Sequence, residues 1–334
     1  NFMITNGDRS DMTHAIVINE QGGPEVLKWQ GVDTPEPGPG QIRIRQTAVG
    51  LNYIDCYHRS GLYPLDLPTT IGMEAAGIID ALGDGVTTLS VGDRVAYASG
   101  PPGAYTQSRV IGADRVVALP ESISDDTAAA MMLQGMTVQY LVRRTYRVQS
   151  GDTVLLHAAA GGVGLIASQW LKQLGATVIG TVGSDEKAEL AAAHGCDHTI
   201  VYTRENFTDR VRDITNGEGV PVVYDSIGKD TFEGSLDCLA PIGMFVSFGN
   251  ASGPLEPFNP GILAAKGSLF FTRPSLVNYT AKAEDLQHSA KELFAAVAKG
   301  LKIEINQRFP LKDAAAAHKA LEARETTGST VLQT

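Results

Sequence analysis

The segment Thr153-Val-Leu-Leu-His-Ala-Ala-Ala-Gly-Gly-Val-Gly164 reads as a short buried strand followed at once by a glycine-rich turn. The β-branched and apolar residues 153–156 predict the strand, and the helical spacing after Gly164 predicts a helix. The missing side chain at Gly161 lets a pyrophosphate approach the backbone, Gly164 lets helix and strand pack closely, and the first-turn N–H groups attract anions. The segment therefore predicts a dinucleotide-binding turn. Because Ala159 replaces the first glycine of the usual pattern, an ordinary tight turn of an α/β protein is the alternative.

The segment that follows predicts the form of the dinucleotide. Residues 176–182 form a predicted second strand at the distance expected for a βαβ unit. In units that bind NAD, an Asp or Glu about 20 residues after the turn binds the ribose 2′-hydroxyl. Here the strand ends in Gly183 and Ser184, with Lys187 close behind, and a hydroxyl and an ammonium suit a 2′-phosphate. The two acidic residues after Ser184 oppose this, but in the first turn of a helix they also suit the helix dipole. The sequence predicts NADP(H).

The rest of the chain divides into a β-rich part and an alternating part. The predicted strands of the first part are 14–18, 41–49, 77–82, 93–97, 104–110 and 116–119. Helices are predicted at 124–132, with Ser124 as the N-cap, and at 136–144. Beyond the turn the predicted elements are 176–182, 184–194, 198–202, 205–215, 220–224, 230–240, 243–248, 267–272, 283–299, 314–324 and 329–332. Short strands predict a compact barrel or sandwich, and the alternation predicts a doubly wound parallel sheet.

The composition indicates a globular protein without a polyanionic partner. The 334 residues are 43% hydrophobic and 19% charged, with a formal net charge of −10 and no run of Lys or Arg. Neither nucleic acid nor an acidic membrane is therefore expected as a partner, and no apolar run is long enough to span a bilayer. Three scattered cysteines form no disulfide framework, which predicts a cytoplasmic location. Residues 1–11 are interpreted as a leader or a cloning remnant.

Nine short motifs occur in order between residue 12 and the end of the chain. They are Gly22-Gly-Pro-Glu-Val-Leu27, Gly50-Leu-Asn-Tyr-Ile-Asp55, Arg59-Ser-Gly-Leu-Tyr63, Gly72-Met-Glu-Ala-Ala-Gly77, Gly92-Asp-Arg-Val95, His157-Ala-Ala-Ala-Gly-Gly-Val-Gly164, Tyr224-Asp-Ser-Ile-Gly228, Val246-Ser-Phe-Gly-Asn250 and Thr272-Arg-Pro-Ser275. With these motifs the chain resembles the medium-chain dehydrogenase/reductase superfamily, and within it the NADPH:quinone oxidoreductases related to zeta-crystallin. The resemblance implies a GroES-like β-barrel catalytic domain at 12–135, a Rossmann NADP-binding domain at 136–272, and a return to the catalytic domain at 273–334.

Two substitutions within these motifs bear on zinc. Zinc alcohol dehydrogenases of this superfamily carry Cys where Asn52 stands and His where Met73 stands, and a four-cysteine loop near 96–103. Residues 96–103 and 131–137 contain no cysteine here. Amide and thioether groups are poor zinc ligands, and a catalytic site needs three protein ligands. The prediction is a metal-free enzyme. Quinones and enones suit it because they accept hydride readily and their developing oxyanion needs only hydrogen bonds.

The resemblance also assigns site residues. It implies catalytic roles for Asn52, Tyr57 and Thr137; packing for Tyr57 and turn capping for Asn52 are the alternatives. The implied cofactor contacts are Asn52, Gln134, Thr137, Ala160, Gly161, Gly162, Val163, Gly183, Ser184, Lys187, Tyr202, Phe248, Gly249, Asn250 and Arg324. A solvated surface charge is the alternative for Arg324, and some relatives carry Lys at the position of Gln134. His157 is expected to be structural.

The predicted reaction is direct hydride transfer from NADPH to a quinone, by proximity and electrostatic stabilisation. The alternatives are an NADPH-dependent alkenal or enone reductase, and a non-catalytic NADPH-binding protein of the crystallin or RNA-binding type. Strand 267–272 is apolar on both faces and predicts a sheet edge. The resemblance implies that two such edges pair in a homodimer. The sequence leaves open the physiological acceptor, one- or two-electron reduction, the proton donor, and whether residues 1–11 are native.

Overall fold

The structure, a computed structural model, describes residues 12–334, so the interpretation of residues 1–11 lies outside the described residues. The chain divides into two compact units. The first contains the chain up to Met132 together with Gln307–Glu325 and Thr330–Thr334. The second contains Leu133–Asn306 and Thr326–Ser329.

The strands are β1 Met12–Ile18, β2 Lys28–Asp33, β3 Gln41–Leu51, β4 Thr69–Thr70, β5 Glu74–Leu82, β6 Arg94–Ala98, β7 Ser108–Gly112, β8 Val117–Ala118, β9 Thr153–Leu156, β10 Thr177–Val182, β11 His198–Val201, β12 Val220–Asp225, β13 Leu239–Ser247, β14 Phe270–Thr272, β15 Ile305–Pro310 and β16 Ser329–Gln333. The α-helices are α1 Tyr53–Ser60, α2 Asp125–Ala129, α3 Met132–Tyr140, α4 Gly162–Gln173, α5 Asp185–Ala193, α6 Phe207–Ile214, α7 Phe232–Cys238, α8 Gly261–Ala265, α9 Leu276–Tyr279, α10 Ala283–Ala298 and α11 Ala314–Glu322.

The second unit is built on a six-stranded sheet. Its order is β11-β10-β9-β12-β13-β14, and every pair in it is parallel. In chain order within this sheet that is 3-2-1-4-5-6, the order typical of doubly wound dinucleotide-binding sheets. The central strands are apolar runs because helices cover both faces, and Leu155, Ile179, Val223 and Phe245 are fully buried. The predicted Rossmann architecture is confirmed.

The first unit consists of two antiparallel sheets and a shared core. One sheet has the order β2-β1-β4, and the other has the order β15-β16-β3-β5-β6-β8, with β7 also paired to β3. Alternation along β3 places Ile42 and Ile44 in the core between exposed or half-buried polar neighbours. Tyr97 and Tyr105 are also fully buried in this core.

The division between the units differs from the expected one at residue 273. Residues 273–306 belong to the second unit, and only the chain from Gln307 on returns to the first, apart from Thr326–Ser329. The reason is the packing of α10 on α3. A Cβ on Gly135 would lie 2.5 Å from Leu293, and Gln139 Nε2 donates to Glu292 Oε2 at 2.7 Å.

Several elements differ from their predictions. Helix α1 was not predicted, because its buried Asp55, His58 and Arg59 hide the apolar stripe that identifies a helix. Strands β2 and β15 were also missed. The strand predicted at 104–110 is β7, four residues later at its start, and the helix predicted at 136–144 is α3, followed by a π-helical turn at Leu141–Thr145. In the strand predicted at 267–272, positive φ angles at Gly267 and Ser268 delay the start of β14 to Phe270. Among the described residues, no helix is long and apolar enough to cross a membrane.

Candidate active site

The glycine-rich turn packs as closely as its sequence predicts. Gly161 is the N-cap of α4, and Gly162 begins the helix. A Cβ on Gly164 would lie 2.3 Å from Ala158 O and 2.6 Å from Ala159 C, so only glycine allows this approach of helix to turn. A Cβ on Gly161 would meet only Ala158 O, at 3.3 Å. Gly164 therefore serves the packing of the turn, and Gly161 leaves the backbone open to a ligand. The first-turn N–H groups of a helix have no intrahelical acceptor and bind anions.

Ala159, the departure from the usual glycine pattern, is accommodated by the neighbouring strand. Its Cβ lies 2.7 Å from where a Cβ on Gly180 would be. Strand β10 thus supplies the glycine that the turn lacks, and an alanine fits the turn because Gly180, which faces it, has no Cβ. This removes the reason for treating residues 158–164 as an ordinary turn.

The C-terminal end of β10 carries the residues predicted for the 2′-phosphate. Ser184 is the N-cap of α5, and its Oγ accepts from the backbone N–H of Lys187 at 3.3 Å. A Cβ on Gly183 would lie 2.9 Å from Tyr202 Oη, so Gly183, Ser184, Lys187 and Tyr202 form one local group.

Arg204, which the sequence did not suggest, resolves the problem of the acidic residues beside this group. Its Nη1 and Nη2 bind Asp185 Oδ2 and Oδ1 at 2.7 and 2.5 Å. This bidentate pair lowers the pKa of Asp185 and offsets its charge. The local charge therefore repels a phosphate less than the sequence suggests. No sequence signal identified Arg204, because its partner lies 19 positions earlier.

A buried polar network lies next to the glycine-rich turn and is centred on His157, which immediately precedes the turn. The His157 ring lies between Thr181 Oγ1, 2.8 Å from Nδ1, and Ser235 Oγ, 2.9 Å from Nε2. Burial lowers the pKa of His157, so the ring is neutral and bridges the two hydroxyls. These contacts agree with the expectation that His157 is structural.

Asp225 extends this network to the predicted nicotinamide-ribose turn. Its Oδ1 accepts from the N–H groups of Ile227 and Gly228 at 2.7 and 2.9 Å, and its carbonyl oxygen accepts from Phe248 N at 2.7 Å. A Cβ on Gly249 would lie 2.5 Å from Ser226 O. Phe248, Gly249 and Asn250 thus form the turn after β13, close against residues 226–228. Asp225 was assigned no role from the sequence, although an acid at the end of an apolar strand is a visible signal.

Gln134 and Thr137 lie on the buried face of α3. A Cβ on Gly162 would lie 2.2 Å from Gln134 Oε1, which also accepts from Ser329 Oγ at 2.8 Å. Gly328 N donates to Ala160 O at 3.1 Å. Gln134 and the segment Thr326–Ser329 therefore both border the fingerprint turn, residues 158–164. The hydroxyl of Thr137 is hydrogen-bonded to Tyr140, one turn along the helix.

In the first unit, Asn52 lies immediately before α1 and Tyr57 lies within it. Asn52 is the N-cap, and its Nδ2 donates to Glu74 Oε1 at 2.6 Å. The half-buried Tyr57 ring lies 6.0 Å from the Tyr53 ring and 5.3 Å from that of Tyr63. Glu74 was not assigned from the sequence, although a carboxylate in an otherwise apolar strand start was a visible signal.

The donor set near Asn52 does not fit zinc. The Asn52 amide is held by Glu74, and Met73 supplies a buried thioether. Among residues 12–334 no group of three or more His, Cys, Asp or Glu side chains could hold a metal ion. One carboxylate beside an amide and a thioether lacks the three ligands that a catalytic zinc needs.

Arg324 is an exposed residue with a φ of 60° just after α11, in the first unit, whereas Ser184 and Lys187 belong to the second. Its contact with the cofactor stays a prediction.

Comparisons with known proteins agree with both units. Residues 38–148 match the alcohol dehydrogenase GroES-like domain, and residues 162–295 match the zinc-binding dehydrogenase family. The chain is 55% identical over 323 residues to a quinone oxidoreductase of Pseudomonas aeruginosa, covering 96% of this chain and 99% of that protein. It is 47% identical over 329 residues to a 2-haloacrylate reductase of a Burkholderia species, covering 96% and 99%. The crystal structure of an Escherichia coli quinone oxidoreductase complexed with NADPH is similar with a TM-score of 0.95 and 47% identity, covering 96% of this chain and all of that one.

Proposed function

The chain belongs to the quinone oxidoreductases of the medium-chain dehydrogenase/reductase superfamily, and we propose that it transfers hydride from NADPH to a quinone without a metal ion. The observation that carries the proposal is 55% identity to a quinone oxidoreductase over nearly the whole chain, together with an intact dinucleotide turn. The chain thus keeps both the family sequence and the local geometry that the reaction needs.

The cofactor residues of the second unit divide by the part of NADPH they would hold. The first turn of α4 would bind the pyrophosphate, and Ser184, Lys187 and Tyr202 the 2′-phosphate. Residues 248–250 would border the nicotinamide ribose, with Gln134 supporting the fingerprint turn. When bound, NADPH supplies the hydride from C4 of its nicotinamide.

The quinone would be held by hydrogen bonds and aromatic contacts. We assign the oxygen contacts to Asn52, Tyr57 and Thr137, which stabilise the negative charge that develops on the quinone oxygen as hydride arrives. The tyrosine group around Tyr57 suits a flat quinone ring. One proton from water or Tyr57 then completes the hydroquinone, so NADPH, quinone and one proton give NADP⁺ and hydroquinone.

A second candidate reaction is the reduction of an activated alkene. It is favoured by the 47% identity to a 2-haloacrylate reductase. Both reactions add hydride to an electron-poor carbon, so the same cofactor site would serve either substrate.

The assay is NADPH oxidation by the purified, EDTA-treated protein with a benzoquinone, an enone, a 2-haloacrylate or no acceptor. We expect the highest kcat/KM with the quinone. A higher value with an alkene would replace the proposed substrate, and NADPH binding without turnover of any acceptor would favour the non-catalytic alternative. Activity lost to EDTA and restored by zinc would contradict the metal-free proposal.

We also propose a homodimer formed through β14, the outer strand of the parallel sheet. Phe270 on this strand is 54% exposed and Ile242 beside it is 69% exposed, which leaves an apolar edge that a second copy could continue. Phe270→Lys should yield monomers in sedimentation velocity. Val91→Lys, at another exposed apolar residue in the first unit, should stay dimeric. A wild-type monomer at micromolar concentration contradicts this proposal.

A cytoplasmic location is proposed from the three cysteines, which are all free and buried.

A further inference from the structure

A buried chain of hydrogen bonds connects α11 to the first turn of α1. The bidentate Arg59–Glu322 pair lies at its outer end, with contacts of 2.6 and 3.1 Å. Arg59 Nη1 also lies 3.0 Å from His318 Nδ1, and His318 Nε2 lies 2.9 Å from Tyr105 Oη. Tyr105 in turn donates to Asp55 Oδ2 at 3.0 Å.

The chemistry of these groups fixes the direction of every bond in the chain. A guanidinium only donates, so His318 Nδ1 accepts from Arg59 and the proton of the neutral ring is on Nε2. His318 therefore donates to Tyr105, and the Tyr105 hydroxyl is left to donate to Asp55. Burial and the Arg59 charge lower the pKa of His318 to about 3, in agreement with a neutral ring.

Asp55 connects this chain of hydrogen bonds to the proposed quinone site. Its Oδ2 also accepts the backbone N–H of Asn52 at 2.9 Å, so one oxygen holds both the end of the chain and the N-cap of α1. Asp55 is fully buried, and its Oδ1 has no hydrogen-bond partner. Burying a carboxylate costs free energy unless hydrogen bonds offset the loss of water, and a buried oxygen without a partner calls for an explanation such as a functional role.

We infer that Asp55, Tyr105 and His318 are positioning residues that hold the first turn of α1, and with it Asn52 and Tyr57, in place for the acceptor. The inference rests on the proposed function, since Asn52 and Tyr57 are the groups that bind the quinone there. The alternative is that these hydrogen bonds only stabilise the core of the first unit.

The ionisation of Asp55 distinguishes these roles. Burial raises the pKa of Asp55 to about 7, while the bonds from Asn52 and Tyr105 oppose that rise. Loss of the Tyr105 hydroxyl should therefore raise the pKa further. The titratable and charged groups around Asp55 are Cys56 and Arg59 on α1, Tyr105 before β7, His318 and Glu322 on α11, and Glu74 on β5 through Asn52.

The test compares two tyrosines of the same core. Tyr105→Phe removes one hydroxyl from the chain and keeps the ring, whereas Tyr97→Phe removes a hydroxyl that donates to Gln46 outside it. Both rings are fully buried. In Tyr105→Phe we expect kcat/KM for the quinone to fall about tenfold, from a lost bond to a charged group, while the Kd for NADPH is unchanged. The acid limb of its pH profile should move to higher pH by about one unit. Tyr97→Phe should show neither change.

A pair of substitutions at His318 gives an independent readout. His318→Gln can still accept from Arg59 and donate to Tyr105, and should keep most of the activity, whereas His318→Leu breaks the chain and should resemble Tyr105→Phe. Equal effects of Tyr105→Phe and Tyr97→Phe, or an unmoved pH profile in Tyr105→Phe, would overturn the inference while leaving the quinone activity of the wild type intact. Wild-type protein that turns over no acceptor would instead overturn the proposed function, and this inference with it.

Discussion

The fingerprint turn of the second unit and the first turn of α1 in the first unit are two helix N-termini built by opposite means. The fingerprint turn uses backbone and the absence of side chains, and its key residues are contiguous. The turn at Asn52 uses buried side chains drawn from β5, the segment before β7, and α11. The first is rigid because only glycine fits, and the second because a polar network holds it. A site formed by backbone groups can therefore be recognised from a short sequence. A site formed by a network of side chains can be recognised only once the fold is known.

The largest expected effect tests the rigidity of the fingerprint turn. In Gly164→Ala the new Cβ would meet backbone atoms of Ala158 and Ala159 at 2.3 and 2.6 Å, and backbone cannot move aside as a flexible side chain can. We expect a loss of about 4 kcal/mol of unfolding free energy by urea denaturation, at the exceptional end for one substitution. Gly161→Ala is the control. Its nearest atom is 3.3 Å away, so stability should change little while NADPH affinity falls. Equal stability of the two variants would contradict the packing role of Gly164.

The difference between the turns also explains how far the sequence could be read. The parallel sheet and the turn residues Gly161, Gly164 and Ser184 follow from local patterns, since each depends on neighbours within about 30 residues. Helix α1 was missed because its buried polar residues find partners such as His318, 259 positions from Arg59. The pairing of Arg204 with Asp185 spans only 19 positions, but it is also a contact between side chains, which the pattern of strands and helices does not reveal. Local sequence therefore predicts backbone geometry well, but long-range polar pairing only after the topology is known.

The next effect is the pH dependence of stability at α1. The pKa of Asp55 is raised from 3.8 to about 7 on folding, mainly by burial. Its contribution to stability is therefore complete below about pH 4 and is lost as the pH rises through 7. At about 1.4 kcal/mol per pKa unit, this group should change the unfolding free energy by on the order of 4 kcal/mol across that range.

Asp55→Asn should remove that component from the pH profile, as measured by urea denaturation of both proteins between about pH 4 and about pH 8, which spans the loss. The comparison uses the difference in slope, because the new amide nitrogen also changes the absolute stability at every pH. Parallel profiles for the two proteins would show that Asp55 does not titrate in this range.

A smaller effect concerns cofactor choice at α5. Lys187→Ala should weaken NADPH binding about ten- to hundredfold, because a charge-assisted bond contributes about 1.5–3 kcal/mol. NADH affinity should be unchanged. Gly183→Asp should move the preference toward NADH, provided that the exposed Tyr202 ring moves away from the new side chain. Lys229→Ala, at an exposed lysine paired with Glu256, is the control. Equal loss of both cofactors in Lys187→Ala would point to a role in the fold or at the pyrophosphate.

The smallest effect tests whether Arg204 reduces the electrostatic repulsion between the start of α5 and a phosphate. Arg204→Gln leaves the Asp185 carboxylate uncompensated at the start of α5, and we expect NADPH affinity to fall about two- to fivefold, since both groups are exposed and screened. The loss should shrink as salt increases. Asp185→Asn combined with Arg204→Gln should restore most of the affinity, because the repelling charge is gone. If the double variant binds NADPH as weakly as Arg204→Gln, then Arg204 contacts the phosphate itself, and its pairing with Asp185 is secondary. Isothermal titration of the wild type, Arg204→Gln and the double variant with NADPH and NADH separates these outcomes, since only NADPH carries the 2′-phosphate on which either role depends.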